Sequence, residues 1–226
     1  MVRFKLAGII SALLWIVFGI TLVIRLIAGN GGLLAAEMLR AAQPAYSGLP
    51  EKDYPGVGTM TADYLTGRTE TFQYVIPDGE GAGAECFRAH EAAHMADCRD
   101  LIRLDTAVCV LCGIAAAALT AAGIAFRKGR EGFLRGILSG LRIAGAAVCA
   151  MLVWALADFD GLFVTFHRIA FSNDGWLLNP YTDLLIRLMP TEYFIRLGIH
   201  GLLRALVIPA ALEAAARIGL KKRNAR

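Results

Sequence analysis

The sequence has little excess charge and lacks the paired C-x-x-C motifs of a structural zinc site. Its formal net charge at pH 7 is +4, and its basic runs indicate a solvated face of the protein, not a nucleic-acid site. Cys109 and Cys112 form a C-x-x-C pair inside an apolar run, without the second ligand pair that a structural zinc site needs. We therefore expect no nucleic-acid partner, no metal and no cofactor.

What the sequence does have is long apolar runs. Hydrophobic residues make up 57% of the 226 positions, against roughly 45–50% in soluble proteins. A helix needs about 20 apolar residues to cross the hydrocarbon core of a bilayer. Four runs are long enough: Phe4–Ala28, Leu101–Phe126, Phe133–Ala157 and Glu192–Ile218. The first has no small-residue cleavage site after it, so we interpret it as an anchor and not as a signal peptide.

Basic residues predict the orientation of these four spans. They precede the first span, separate the second from the third and follow the fourth, at Arg3, Lys5, Arg127, Lys128, Arg130, Arg135, Lys221, Lys222, Arg223 and Arg226. Because cytoplasmic segments carry the excess of lysine and arginine, both termini are predicted to be cytoplasmic. The connections Asn30–Asp100 and Asp158–Thr191 are then extracellular, and they carry acidic residues that include Asp78 and Glu80.

The first connection is too long for a simple loop, and its pattern predicts a small cap. We expect a short helix over Thr61–Leu65, a strand over Thr69–Ile76 that ends at the turn Gly79–Gly83, and a helix from Glu85 into the second span. The predicted fold class is a mainly α membrane protein, a four-transmembrane-helix bundle with a small extracellular α+β cap. The predicted segments are 1–29 (first span), 30–98 (cap), 99–127 (second span), 128–157 (basic loop and third span), 158–191 (second extracellular segment) and 192–226 (fourth span and basic tail).

Two cysteines of the cap leave a disulfide open. Cys86 and Cys98 both lie on the predicted outer side, where disulfides form. If one helix holds both residues, they are about 18 Å apart and no bridge is possible. The sequence does not decide between these alternatives.

One candidate site is the motif His90-Glu91-Ala92-Ala93-His94, which fits the HExxH pattern of zinc proteases. Histidines four residues apart on a helix share a face and can bind one zinc ion. The HExxH continuation with a third ligand is missing, and Met95-Ala96-Asp97-Cys98 follows instead. A membrane zinc protease therefore stays open only as an alternative.

The second candidate site is a segment in which a histidine, an asparagine and carboxylates accompany several aromatic residues. An aromatic belt at the membrane interface explains the tryptophan and the phenylalanines, but not His167, Asn173 and Asp183 among them. The stretch begins at Phe166, includes Phe171 and Trp176, and reaches Pro190.

These two segments resemble motifs of the bacterial lipoprotein intramolecular transacylases. The first resemblance is Glu91-Ala92-Ala93-His94-Met95-Ala96-Asp97, and the second runs from Phe166-His167-Arg168 through Asn173-Asp174-Gly175-Trp176 to Pro180, continuing over Asp183–Ile186 and Pro190–Phe194. The resemblance implies an acyltransferase of the bacterial cell membrane that acts on diacylglyceryl lipoproteins. It moves the sn-2 acyl chain to the α-amine of the N-terminal cysteine and leaves a lyso-form lipoprotein.

The resemblance also implies which residues perform the reaction. The catalytic pair falls on His94 and His167. We expect His94 to be the general base, oriented by Glu91 or Asp97, and His167 to serve the leaving oxygen. Arg168, Asn173 or Trp176 are candidates for hydrogen bonds to the oxyanion. The further candidates for supporting or substrate-binding residues are Tyr64, Phe166, Phe171 and Asp183. Expected partners are the lipoprotein and membrane lipid, and the remaining alternative is a membrane protein that binds lipoproteins without catalysis.

Overall fold

The computed structural model describes residues 2–76 and 83–224. The predicted turn at Gly79–Gly83 lies almost wholly outside these residues, as do Asp78, Glu80 and Arg226. The elements are α1 (Val2–Ala28), α2 (Gly31–Ala41), α3 (Pro44–Ser47), a 3-10 turn (Glu51–Asp53), α4 (Tyr54–Leu65), β1 (Val75–Ile76), β2 (Ala84–Glu85), α5 (Ala89–Ala125), α6 (Arg130–Ala157), α7 (Phe159–Ala170), α8 (Leu184–Leu188), α9 (Thr191–Ala205) and α10 (Val207–Asn224).

Among the described residues, four helical stretches are long and apolar enough to cross a membrane. They are Val2–Ala28, Ala89–Ala125, Arg130–Ala157 and Thr191–Lys222. Together with a small two-stranded sheet, they confirm the predicted fold class. The fourth stretch is interrupted between α9 and α10, where Pro209 follows the break. A proline ring clashes with the carbonyl four residues earlier, which here belongs to Ala205, the last residue of α9.

The chain divides into two compact units, and the first contains residues 1–23, 106–159 and 202–226. In this unit α1 and α6 approach each other closely at small residues. A Cβ on Gly8 would lie 2.1 Å from the carbonyl oxygen of Phe133, and a Cβ on Gly136 would lie 2.1 Å from that of Lys5. Neither contact is possible for a larger residue, so glycine is what allows the two backbones to meet.

A polar cluster also joins α1 to α5 within the first unit. The Thr120 hydroxyl lies 2.9 Å from that of Ser11 and accepts a hydrogen bond from the Trp15 indole at 3.0 Å. Thr120 itself donates to the carbonyl of Ala116. Polar groups without partners are costly in a bilayer, so these contacts fix how the two helices face each other.

The second unit contains residues 24–105 and 160–201, and its core forms where α2 packs on α4. A Cβ on Gly58 would lie 2.5 Å from the carbonyl oxygen of Gly31, so this crossing also needs glycine. Around it lie fully buried side chains such as Met38, Leu49 and Val57. Helix α4 starts seven residues before the predicted Thr61.

The sheet of the second unit is shorter than the predicted strand over Thr69–Ile76. Only Val75 and Ile76 are in strand conformation, and they pair antiparallel with Glu85 and Ala84. The reason lies in Gln73, whose side-chain amide replaces a backbone pairing. Its Nε2 donates to the Phe87 carbonyl at 2.9 Å, and its Oε1 accepts from the Phe87 N–H at 3.0 Å.

Candidate functional site

Helix α5 begins with a carboxylate that serves the backbone. Glu91, in the first turn, is fully buried. One of its carboxylate oxygens accepts from the backbone N–H of Arg88 at 2.8 Å, and the other accepts from that of Leu185 at 2.7 Å. Glu91 therefore ties the start of α5 to the start of α8 within the second unit, and both carboxylate oxygens are occupied in doing so.

His90 of the HExxH motif contacts Asp183 rather than a second histidine. Its Nε2 lies 2.9 Å from Oδ2 of Asp183. This Oδ2 also accepts a hydrogen bond from the backbone N–H of Asn179 at 2.8 Å. Although burial opposes ionisation, the contacts from Asn179, His90 and Thr182 lower the pKa of Asp183 to about 2. Asp183 is thus a buried, ionised acceptor that holds the turn before α8 and engages His90.

The two histidines of HExxH consequently do not converge. Within residues 2–76 and 83–224, no group of three or more histidine, cysteine, aspartate and glutamate side chains is arranged to hold a metal ion. With Glu91 bound to backbone N–H groups, the residue that would act as the base of a zinc protease has no free oxygen. These contacts argue against the protease alternative.

His94 lies one turn further along α5 and is 8% exposed. Its Nε2 is 3.6 Å from the sulfur of Cys98, and its Nδ1 is buried without a hydrogen-bond partner among the described residues. Glu91 and Asp97 were expected to orient this ring, but Glu91 binds backbone N–H groups, and Asp97 accepts from the Asn173 amide at 3.0 Å. Because both cysteines of the open pair are free, Cys98 remains a thiol beside His94.

His167 lies in the last turn of α7 and is 7% exposed. Its Nδ1 is 2.8 Å from the backbone carbonyl oxygen of Phe163. Since a carbonyl oxygen can only accept, Nδ1 carries the hydrogen and Nε2 has the free lone pair. Burial lowers the pKa of His167, and the hydrogen bond to the Phe163 carbonyl opposes that effect only in part. The ring is therefore a neutral imidazole at pH 7.

The structure brings His94 and His167 together although they are far apart in the sequence. Their ring centroids are 6.2 Å apart, and the planes are inclined by 31°. The Phe171 ring is 5.2 Å from that of His94 and 5.5 Å from that of His167. One small bound group can thus touch both imidazoles.

Aromatic rings surround His167. Their centroids lie at 4.1 Å for Phe163, 5.0 Å for Trp176 and 5.4 Å for Phe166. Trp176 reaches this position through a turn in which the side chain of Asn173 accepts from the backbone N–H of Gly175. Phe166, Phe171 and Trp176 are candidates from the sequence, whereas Phe163 is not. Its position four residues before His167 on a helix was the available signal.

Other residues expected at the site have different surroundings. Tyr64 packs against Phe72, with ring centroids 5.3 Å apart, and its ring faces the Arg99 guanidinium at 5.0 Å. Arg168 is exposed. Asn173, a candidate for binding the oxyanion, directs its amide to Asp97. The sequence did not predict the contact of the Cys98 sulfur with His94 or that of the Phe163 backbone carbonyl with His167.

The arrangement suits proton transfer in an apolar setting. Both imidazoles are buried, close together and lined by aromatic rings. His167 offers a lone pair at Nε2, and His94 offers an unpartnered nitrogen, so the pair can accept one proton and donate another to a single ligand.

Comparison with known proteins gives a consistent picture. The family model described as lipoprotein intramolecular transacylase Lit matches residues 9–194. Among solved structures, the chain is similar to the membrane-integral lipoprotein intramolecular transacylase Lit from Bacillus cereus, with a TM-score of 0.76 and 20% identity over 99% of both chains. A structure of that protein with a histidine-to-alanine substitution gives a TM-score of 0.72 and 20% identity, over 99% of this chain and 96% of the other. No curated protein sequence matches the chain.

Proposed function

Since the chain belongs to the lipoprotein intramolecular transacylase family, an acyltransferase family, we propose that it moves the sn-2 acyl chain of a diacylglyceryl lipoprotein to the α-amine of the N-terminal cysteine. The observation that carries this proposal is the pair of buried imidazoles 6.2 Å apart. The product is a lyso-form lipoprotein with an N-acyl, monoacylglyceryl cysteine.

The chemistry explains why a histidine pair is useful. The amine attacks the ester carbonyl of the same molecule, which closes an eight-membered ring that forms poorly unaided. Holding the two ends together is worth up to about 7–11 kcal/mol in well-oriented systems. The α-amine titrates at about 7.7–8.0, so it needs a nearby group that removes its proton.

The contacts of the two histidines support a division of roles. His167, with Nδ1–H held by the Phe163 carbonyl, presents the Nε2 lone pair and serves as the base for the amine. We assign the Cys98 S–H as the donor to Nε2 of His94. This assignment leaves the hydrogen on Nδ1, which has no partner among the described residues, and His94 then serves the sn-2 oxygen. This order is the reverse of the one expected from the sequence, where a carboxylate was expected to orient His94. The nitrogen–carbonyl bond forms and the carbonyl–oxygen bond breaks. One proton passes from the amine to His167, and His94 gives one proton to the leaving oxygen. Transfer of a proton from the His167 imidazolium to His94 then restores both neutral rings.

The test is to express the chain in a host that lacks the activity and to locate the acyl chains of a model lipoprotein by mass spectrometry. We expect the N-acyl, monoacylglyceryl product with the wild type, and loss of it in His94→Ala and His167→Ala. His90→Ala is the matched control and retains activity, since His90 contacts Asp183. An unchanged lipoprotein that still binds supports the non-enzymatic alternative, and a cleaved polypeptide supports the protease.

We also propose that the histidine pair faces the extracellular side, with both termini cytoplasmic. The basic residues around Arg127 and Lys128 support this orientation. In a variant without native cysteines, Tyr181→Cys is expected to react with a membrane-impermeant maleimide in intact cells, because Tyr181 is 92% exposed. Lys128→Cys, which is also at an exposed position, is expected to stay unlabelled until the cells are opened. The opposite labelling would reverse the topology.

A further inference from the structure

We propose that the aromatic rings around His167 stabilise its imidazolium form during acyl transfer, in the place that a carboxylate takes beside most catalytic histidines. The inference rests on the proposed function and adds a positioning role for Phe163 and Trp176. The observation is an aromatic cage, defined as the rings of Phe163, Phe166, Phe171 and Trp176, with centroids 4.1–5.5 Å from that of His167.

The carboxylates near the two histidines direct their hydrogen bonds to groups other than the imidazoles. Burial lowers the pKa of His94, and the charge of Asp97 opposes this lowering only in part. Glu91 accepts from the N–H groups of Arg88 and Leu185, and Asp97 accepts from the Asn173 amide. The Nδ1–H of His167 is bound to the uncharged Phe163 carbonyl. The ionisable ring that faces His167 is His94, which carries no negative charge. An imidazolium formed here therefore needs another source of stabilisation.

Aromatic faces provide such a source because the ring quadrupole is negative over each face and attracts a cation within about 6 Å. All four rings of the cage fall within that distance. Phe163 and Trp176 are inclined to the His167 ring by 44° and 38°, while Phe166 meets it edge to face at 89°. His167 is itself only 7% exposed, and electrostatic interactions are stronger at such a buried position than in water.

The cage acts at a defined step. The attacking amine gives one proton to Nε2 of His167 as its nitrogen bonds to the sn-2 carbonyl carbon. The positive charge moves from substrate to imidazole, and the former carbonyl oxygen carries the negative charge of the tetrahedral intermediate. When the carbonyl double bond re-forms, the bond to the sn-2 oxygen breaks, and that oxygen leaves with a proton from His94. Stabilising the imidazolium favours the charged transition state and not the neutral resting ring, so kcat changes more than KM.

The experiment weakens the ring quadrupole without changing the shape of the indole. The protein is produced with mono-, di- and trifluorinated tryptophan, and kcat and KM for acyl transfer are compared with those of the unlabelled protein. We expect kcat to fall stepwise by about three- to tenfold in total with KM unchanged. Trp176→Phe is the matched control, because it keeps a weaker aromatic face beside His167 and its remaining tryptophans are Trp15 and Trp154. In this variant, fluorinated tryptophan is expected to give the same kcat as ordinary tryptophan.

A second measurement does not depend on activity. NMR titration of His167 in the same proteins, labelled with nitrogen-15 at histidine, is expected to show a lower pKa with each fluorine. If neither the pKa of His167 nor kcat changes with fluorination, the aromatic cage does not stabilise the imidazolium and the inference is wrong. If the wild type transfers no acyl chain while the pKa of His167 still falls with each fluorine, the proposed function is wrong. The stabilisation of the imidazolium by the aromatic cage is then still supported.

Discussion

Replacing Glu91 with glutamine tests whether this carboxylate has a structural role or takes part in the reaction. In the wild type, the two carboxylate oxygens accept from the N–H groups of Leu185 and Arg88 at 2.7 and 2.8 Å. Glutamine keeps one acceptor, and its NH2 group then faces the other backbone N–H. The variant loses one hydrogen bond to a charged group and leaves a buried donor unsatisfied, at a cost of about 2–4 kcal/mol.

Thermal unfolding in detergent, followed by tryptophan fluorescence, measures this cost. For a chain of this size the expected decrease in Tm is about 4–16 °C. Glu51→Gln is the control, since Glu51 is exposed and its replacement should change stability by less than about 0.5 kcal/mol. If Glu91→Gln unfolds at the wild-type temperature yet has lost all activity, Glu91 acts chemically, and the interpretation of its contacts as structural is refuted.

Three further predictions concern pH, the thiol and helix packing. Because burial lowers the pKa of His167, the neutral form of this ring persists below pH 6.5. We therefore expect kcat/KM to rise with pH only as the substrate amine loses its proton, at about 7.7–8.0. A second titration above pH 7 that is lost in a His167 variant would contradict this. Cys98→Val removes the contact to His94 and should lower kcat about two- to fivefold. Cys98→Ser should restore part of this loss in kcat. Cys149→Val, at an exposed position, should leave kcat unchanged. Gly136→Ala places a Cβ 2.1 Å from a carbonyl oxygen and should destabilise the protein by about 1–3 kcal/mol, while Gly145→Ala, with nothing within 4 Å, should unfold at the wild-type temperature or above it.

Contacts between segments distant in the chain limit what helix spacing alone predicts about the site. The i, i+3 spacing of His94 and Asp97 on α5 predicts neighbouring side chains, and a histidine beside a carboxylate is a familiar base. Asn173, from the segment after α7, binds that carboxylate instead. Sequence spacing within a helix does not reveal which partner from elsewhere in the chain competes for the same oxygen.

The extent of the strand was a second limit. Alternation over Thr69–Ile76 predicts a strand of eight residues, but Gln73 is a residue whose side-chain amide can take the place of a peptide group. It satisfies both backbone groups of Phe87, and the ladder is confined to the pairs Val75–Glu85 and Ile76–Ala84. Hydrophobic periodicity classes glutamine only as a polar residue, so it does not predict that the Gln73 side chain will pair with backbone groups in place of the strand.

The sequence by itself determined the membrane-spanning helices and the two motifs that carry His94 and His167. These follow from local properties, because an apolar run of about 20 residues has few alternatives to a spanning helix. Only the tertiary structure decided that the two rings lie 6.2 Å apart, that the Phe163 carbonyl sets the tautomer of His167, and that Glu91 binds backbone N–H groups. Hydrogen bonds and ring contacts depend on atomic distances between remote segments, and such distances exist only once the chain has folded.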